Sequence, residues 1–135
     1  MNNDFYTLTN YIHNNNIISY AMEDYIEMIY RKYINNENIT ITILSNLLHI
    51  KKSSCSKMIA KLKNLNFVFT KDKNIYFTKT GLKLGKYLYK RHQIIETFLK
   101  NLNKQNFKLE QVEKIEHFID NITLKNLEKL NKNIN

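Results

Sequence analysis

The sequence contains no proline, only two glycines and a single cysteine in 135 residues. Sharp backbone breakers are therefore scarce, and helix is the default expectation. A lone Cys55 excludes an intrachain disulfide framework. No apolar run approaches the roughly 20 residues that span a bilayer. The first residues, Met1-Asn2-Asn3-Asp4, lack the basic-then-apolar pattern of a secretory signal. Together these absences predict a cytoplasmic protein with no membrane partner. Acidic residues are also scarce, and locally so. Between Arg31 and Lys104 only Glu37, Asp72 and Glu96 are acidic.

What is present suits a globular protein: 43% of residues are hydrophobic and 24% charged, with a net charge of +9. The length fits one domain or two small lobes. The basic middle of the chain predicts a polyanionic partner, with nucleic acid the first candidate and an anionic membrane surface the second. The acidic residues gather on either side of it, at Glu23, Asp24 and Glu27 and again at Glu110, Glu113, Glu116 and Asp120. Such clusters predict cation binding.

Apolar spacing marks the elements. Phe5, Leu8, Tyr11 and Ile12 predict a helix over 4–14, with Asp4 as its cap. Ser19 to Ile34 reads as an amphipathic helix with a stripe of Met22, Ile26, Ile29, Tyr30 and Tyr33. Asp24 and Glu27 sit beside that stripe, either as first-turn carboxylates favoured by the helix dipole or as ligands. Thr42 is placed to cap a short helix through Ile43, Leu44, Leu47 and Leu48. After a turn at His49-Ile50-Lys51-Lys52, a second helix starts near Ser53. Its apolar face is Cys55, Met58, Ile59, Leu62 and Leu65, and Cys55 reads as a small core residue. The pair is either a helical hairpin with a solvated lysine face or a helix-turn-helix. Phe67 to Thr70 and Ile75 to Thr78 flank Lys71-Asp72-Lys73-Asn74 as a β-hairpin. Placed directly after the helix pair, that hairpin reads as the wing of a winged helix-turn-helix. Lys51, Lys52, Ser53, Ser54, Ser56, Lys57, Lys61, Lys71 and Lys73 form the candidate DNA-facing set.

Thr78 or Thr80 is placed to cap a long helix through Leu99 that carries Arg91, His92 and Glu96. His92 alone is either a structural histidine or a ligand. Helices are expected from about Leu109 to Ile119 and from Thr123 to Leu130, with Asp120 a candidate cap. Glu113, Glu116 and His117 stand at i, i+3 and i+4, which on one helix puts all three on one face. They are either a solvated face or half of a divalent-metal site.

Carboxylates and imidazoles thus recur on three helices, around a winged helix-turn-helix. The ordered runs Met22-Glu23-Asp24-Tyr25-Ile26-Glu27, Ser53-Ser54-x-Ser56-Lys57-Met58, Arg91-His92-x-x-x-Glu96-x-Phe98-Leu99 and Val112-Glu113-x-x-Glu116-His117 resemble the diphtheria-toxin-repressor family of metal-dependent transcriptional regulators. The similarity is strongest to its manganese transport regulators and covers about Ser19 to Leu130. It implies a mainly α fold: a winged helix-turn-helix DNA-binding lobe over 19–78, a helical metal-binding and dimerisation lobe over 79–135, and an extra N-terminal segment, 1–18. It implies metal ligands at Asp24, Glu27, His92, Glu113, Glu116 and His117, with one or two Mn(II) ions per subunit. Iron-responsive members carry Met where Asp24 stands and Cys where Glu113 stands. Hard carboxylate oxygens suit Mn(II), and Fe(II) is the alternative ion. The implied partners are operator DNA and a second copy of the chain, and the implied activity is repression of metal-uptake genes. Two departures stand out. The segment before Ser19 has no counterpart in the family pattern, and the chain ends too soon for the SH3-like domain of iron-responsive members. A carboxylate-rich two-metal hydrolase is the competing reading. It leaves the basic wing without a role and finds no pocket for a small organic substrate, so the expectation is a regulator and not an enzyme.

Overall fold

A computed structural model describes residues 18–134. The helix expected over 4–14 lies outside the described residues. The elements in order are α1 (Tyr20–Ile34), α2 (Ile41–Leu48), α3 (Lys52–Asn64), β1 (Val68–Lys71), β2 (Asn74–Phe77), α4 (Lys79–Asn103), α5 (Leu109–Ile115) and α6 (Asn121–Ile134). Short 3-10 turns cover Lys104–Asn106 and Glu116–Phe118. The fold divides into two compact units between Leu88 and Tyr89, inside α4. Residue 79, where the sequence reading sets the lobe boundary, is the first residue of α4.

In the first unit, Ser19 caps α1 by accepting a hydrogen bond from Met22 N at 3.2 Å. Arg31 and Lys32 complement the other end of its dipole. The buried face of α1 holds Tyr25, Ile26 and Ile29, but also Glu23 and Glu27. Tyr33, expected in the buried stripe, is half exposed. The cap of α2 is Thr40 and not Thr42. Thr40 has the extended backbone a cap needs (φ −120°, ψ 169°), and its Oγ1 accepts from Ile43 N. Thr42 lies within the first turn. His49 ends α2 in the left-handed region at φ 56°, which turns the chain tightly into α3. From α3, Cys55, Ile59 and Leu62 face inward, while Leu65 caps the helix end and is exposed.

The wing is tighter than its sequence suggests. Lys71 pairs with Asn74 in the antiparallel ladder, leaving a two-residue turn at Asp72-Lys73. Both turn residues have positive φ, 51° and 68°. That is the primed turn whose twist matches a hairpin, so Lys71 and Asn74 are drawn into the strands. Ile75 N donates to Ile39 O at 2.8 Å, tying the wing to the segment before α2. Thr78 is the cap of α4: its Oγ1 accepts from Gly81 N at 3.0 Å. Its own N–H donates to Phe67 O at 3.0 Å. Gly81 allows this close approach, since a Cβ there would lie 1.8 Å from Phe67 O. Ile26, Leu44, Cys55, Leu62 and Leu84 are fully buried in this unit. Each large aliphatic side chain so buried contributes roughly 1.5–3 kcal/mol.

In the second unit, Ile95, Val112 and Leu124 are buried. Asn131 Nδ2 donates to Ile94 O at 3.0 Å, and Lys90 pairs with Glu128 at 3.3 Å, holding α6 along α4. Asp120 caps α6 by accepting from Thr123 N at 2.7 Å. The helix expected to reach Ile119 stops at Ile115. The chain tightens into the 3-10 turn Glu116–Phe118, and Ile119 is extended at ψ 123°.

Candidate functional site

That tightened turn rearranges the acidic cluster. On one straight helix Glu113, Glu116 and His117 would share a face. Instead Glu113 remains exposed on α5, Glu116 is buried at 2% exposure, and His117 is half-buried. Glu116 Oε2 lies 2.8 Å from Nδ1 of His92, itself buried on α4. A carboxylate oxygen accepts, and a proton on His92 Nδ1 completes this hydrogen bond. A metal-ligating histidine has this arrangement, its second nitrogen held by a carboxylate. Nε2 also stands 3.9 Å from Glu96 Oε2. Ligand atoms of Glu116 lie within 4.8 Å of those of His92 and of His117. The second unit therefore gathers His92, Glu116 and His117 and leaves Glu113 at the surface.

In the first unit, Asp24 and Glu27 differ in setting. Asp24 is exposed, whereas Glu27 is buried and takes a hydrogen bond from Arg31 Nη2 at 3.1 Å. Glu23, which sequence reasoning left out of the ligand set, is also buried. These carboxylates and imidazoles are hard or borderline donors that fit a divalent ion such as Mn(II). Thiolate ligation is not on offer. Cys55 is buried with Sγ 3.7 Å from Ile41 O, and burial pushes its thiol pKa up.

The residues expected to face nucleic acid lie on α3, just before it and on the wing. Lys51, Lys52, Ser53, Ser54, Ser56, Lys57 and Lys61 are all exposed, and so are Lys71 and Lys73. They stay outward because Cys55, Ile59 and Leu62 hold the opposite side of α3 in the core. A cleft of about 590 Å³ runs between the start of α2, α3 and the wing, lined by Thr40, Thr42, Lys52, Ser56, Lys63 and Lys73. Lys63, whose Nζ donates to Thr70 Oγ1 at 3.1 Å, was not legible as part of this face. Only the fold of the wing over α3 brings it there. Arg91, which sequence reasoning left out of the candidate site, is buried with its Nη2 3.3 Å from His117 Nδ1. Its place next to His92 was the one available signal.

Comparisons with known proteins agree with this geometry. Residues 18–74 match the family model described as iron dependent repressor, N-terminal DNA binding domain. Residues 78–135 match iron dependent repressor, metal binding and dimerisation domain. An HTH-type transcriptional regulator MntR of Lysinibacillus sphaericus (strain C3-41) is 35% identical over 101 residues, covering 73% of each chain. MntR of Bacillus subtilis (strain 168) is 34% identical over 101 residues, 73% of this chain and 71% of that protein. The solved structure of the manganese regulator SloR superposes with a TM-score of 0.70 at 28% identity. It matches 81% of this chain and 52% of its own, so the chain spans about half the length of that relative. Among the described residues, no helix is long and apolar enough to cross a membrane. With both domains matched along the chain, the protein belongs to the iron-dependent repressor family of DNA-binding transcriptional regulators, which are not enzymes.

Proposed function

We propose that the protein is a homodimeric, cytoplasmic, manganese-responsive repressor that binds operator DNA of metal-uptake genes. The observation that carries this reading is the buried pairing of His92 with Glu116 at 2.8 Å. It sets a buried imidazole against a buried carboxylate, with oxygen donors at the positions where thio ligands would favour softer metals. The ligands proposed are Asp24, Glu27, His92, Glu113, Glu116 and His117. A manganese regulator among the structural relatives favours the same ion.

Bound Mn(II) supplies the positive charge that lets these carboxylates share a site. Without it, Asp24, Glu27, Glu113 and Glu116 repel one another on approach. Asp24 and Glu27 ride on the unit that carries α3, and the other ligands belong to the second unit. On this proposal, metal clamps the DNA-binding lobe to the dimerisation lobe. In a dimer, that clamp sets the spacing of two recognition helices, which must match half-sites about 34 Å apart or a multiple of it. Coupling of this kind is typically about 1–3 kcal/mol. Exposed Leu102, Phe118, Ile122 and Leu130 offer the second unit an apolar surface for its second copy.

Gel shifts on the gene's own upstream region, with Mn(II), with Fe(II) and with chelator, test the reading. Tight binding with Mn(II) alone is the expected result. Equal binding in all three refutes the metal switch. Lys57→Ala is expected to weaken binding to all sequences alike and to lower the salt slope by about one phosphate contact.

A further inference from the structure

The last turn of α3 carries a lysine outside the expected DNA-facing set. Lys63 is exposed, and its Nζ donates to Thr70 Oγ1 on β1 at 3.1 Å. An ammonium has three donors, so this bond leaves two for another acceptor. It also carries the side chain across from α3 to the wing, at the cleft of about 590 Å³ between them. Lys52, Lys63 and Lys73 line that cleft, and Asp72 is the one acidic residue among its lining side chains. A concave surface dominated by one sign of charge focuses its field and draws in the opposite sign. Lys73 keeps its place at a conformational cost, with φ at 68° in a turn that favours glycine or asparagine. Backbone strain of this kind clusters at functional sites.

We infer that Lys63 is a further DNA contact, and that the cleft takes the backbone of one DNA strand between α3 and the wing. The inference rests on the DNA-binding reading above. Lys52 opens α3 and Lys63 stands eleven residues further, near its end. At about 1.5 Å per residue the two are about 16 Å apart along the helix axis. Both border the same cleft, so they meet the same strand. Lys63 is held at Thr70 and does not swing back toward Lys52, so the two lysines take different phosphates of that strand. Phosphate contacts carry no sequence information but fix register and orientation on the duplex. Lys63 therefore sets how α3 seats along the groove, and its bond to Thr70 makes helix and wing close on the backbone as one piece.

Ethylation interference on a duplex from the gene's own upstream region, with the full chain and Mn(II), tests this. Wild-type binding is expected to be blocked by ethylation at a defined set of phosphates. Lys63→Met is expected to bind about tenfold more weakly, the loss of one charge-assisted contact, and to become insensitive to ethylation at one of those phosphates. Lys52→Met is expected to become insensitive at a different phosphate of the same strand. Lys63→Arg, which keeps the charge, is expected to retain the wild-type pattern. A folded Lys63→Met that keeps every sensitive phosphate overturns the inference, because Lys63 then only braces the wing. Lys52 and Lys63 phosphates on opposite strands overturn it too, and either result leaves the repressor reading intact. Wild type that binds no duplex, with or without Mn(II), overturns both.

Discussion

Replacing Glu116 by Gln separates the structural work of this side chain from its work on metal. Gln has nearly the same shape and still offers a carbonyl oxygen to His92 Nδ1, 2.8 Å away in the native pair. The cost in the metal-free protein is the difference between a charge-assisted and a neutral hydrogen bond. With neutral bonds worth about 1 kcal/mol and charge-assisted ones about twice that, the loss is about 1 kcal/mol. For a domain of this size that lowers Tm by about 4 °C. The effect with metal is larger. At an ion concentration one hundred times its Kd, a single site stabilises the native state by about 2.7 kcal/mol, or about 10 °C. An amide has no charge to offer a hard cation, so most of that gain disappears in Glu116→Gln. Thermal melts with chelator and with Mn(II) read both quantities. The expected result is a small drop in the metal-free melt and a metal-induced rise cut to a few degrees. A metal-induced rise equal to wild type would mean that Glu116 is a structural partner of His92 and nothing more.

Other consequences follow from the same structure. Gly81→Ala gains up to about 1 kcal/mol in helix propensity. Its Cβ, however, would meet the Phe67 carbonyl oxygen at 1.8 Å, so backbone has to move at the base of the wing. Overpacking of about 1–3 kcal/mol and strained hydrogen bonds from Thr78 outweigh the gain. Urea unfolding is expected to show net destabilisation, and a neutral result contradicts the packing described. Gly85→Ala presses instead on the Tyr30 and Phe77 rings at 2.9–3.2 Å and is expected to be milder. Cys55, buried with its thiol pKa raised, is expected to resist thiol reagents in the native protein and react on unfolding. The Asp120 carboxyl is held below its usual range by the hydrogen bond from Thr123. Its capping contribution is therefore present above the ordinary carboxylate pKa and lost as pH falls through the lower folded value. Amide exchange at Thr123 is expected to accelerate over that acid range in wild type and not in Asp120→Asn.

Much of the fold was legible because its signals are local. Ser19 before an apolar helix, the helix pair with Cys55, Ile59 and Leu62 turned inward, two β-rich runs, and Asp120 before the last helix all depend on neighbours a few residues away. Errors fell where two local solutions compete. Thr40 and Thr42 are both capable caps, and only the extended backbone at Thr40 selects it. A four-residue turn and a two-residue turn both fit Lys71 to Asn74. The twist of the paired strands selects the latter.

The sequence by itself determined the chemistry on offer: oxygen and imidazole donors without a second thiol, and a basic helix and wing for a polyanion. Side-chain type and spacing are enough for that. Only the tertiary structure decided how those donors are arranged. The end of α5 at Ile115 buries Glu116 against His92 while Glu113 stays in solvent, and Arg91 comes to His117 across 26 residues of chain. No periodicity encodes such a placement. It depends on where a helix stops and on which buried polar groups must then satisfy one another.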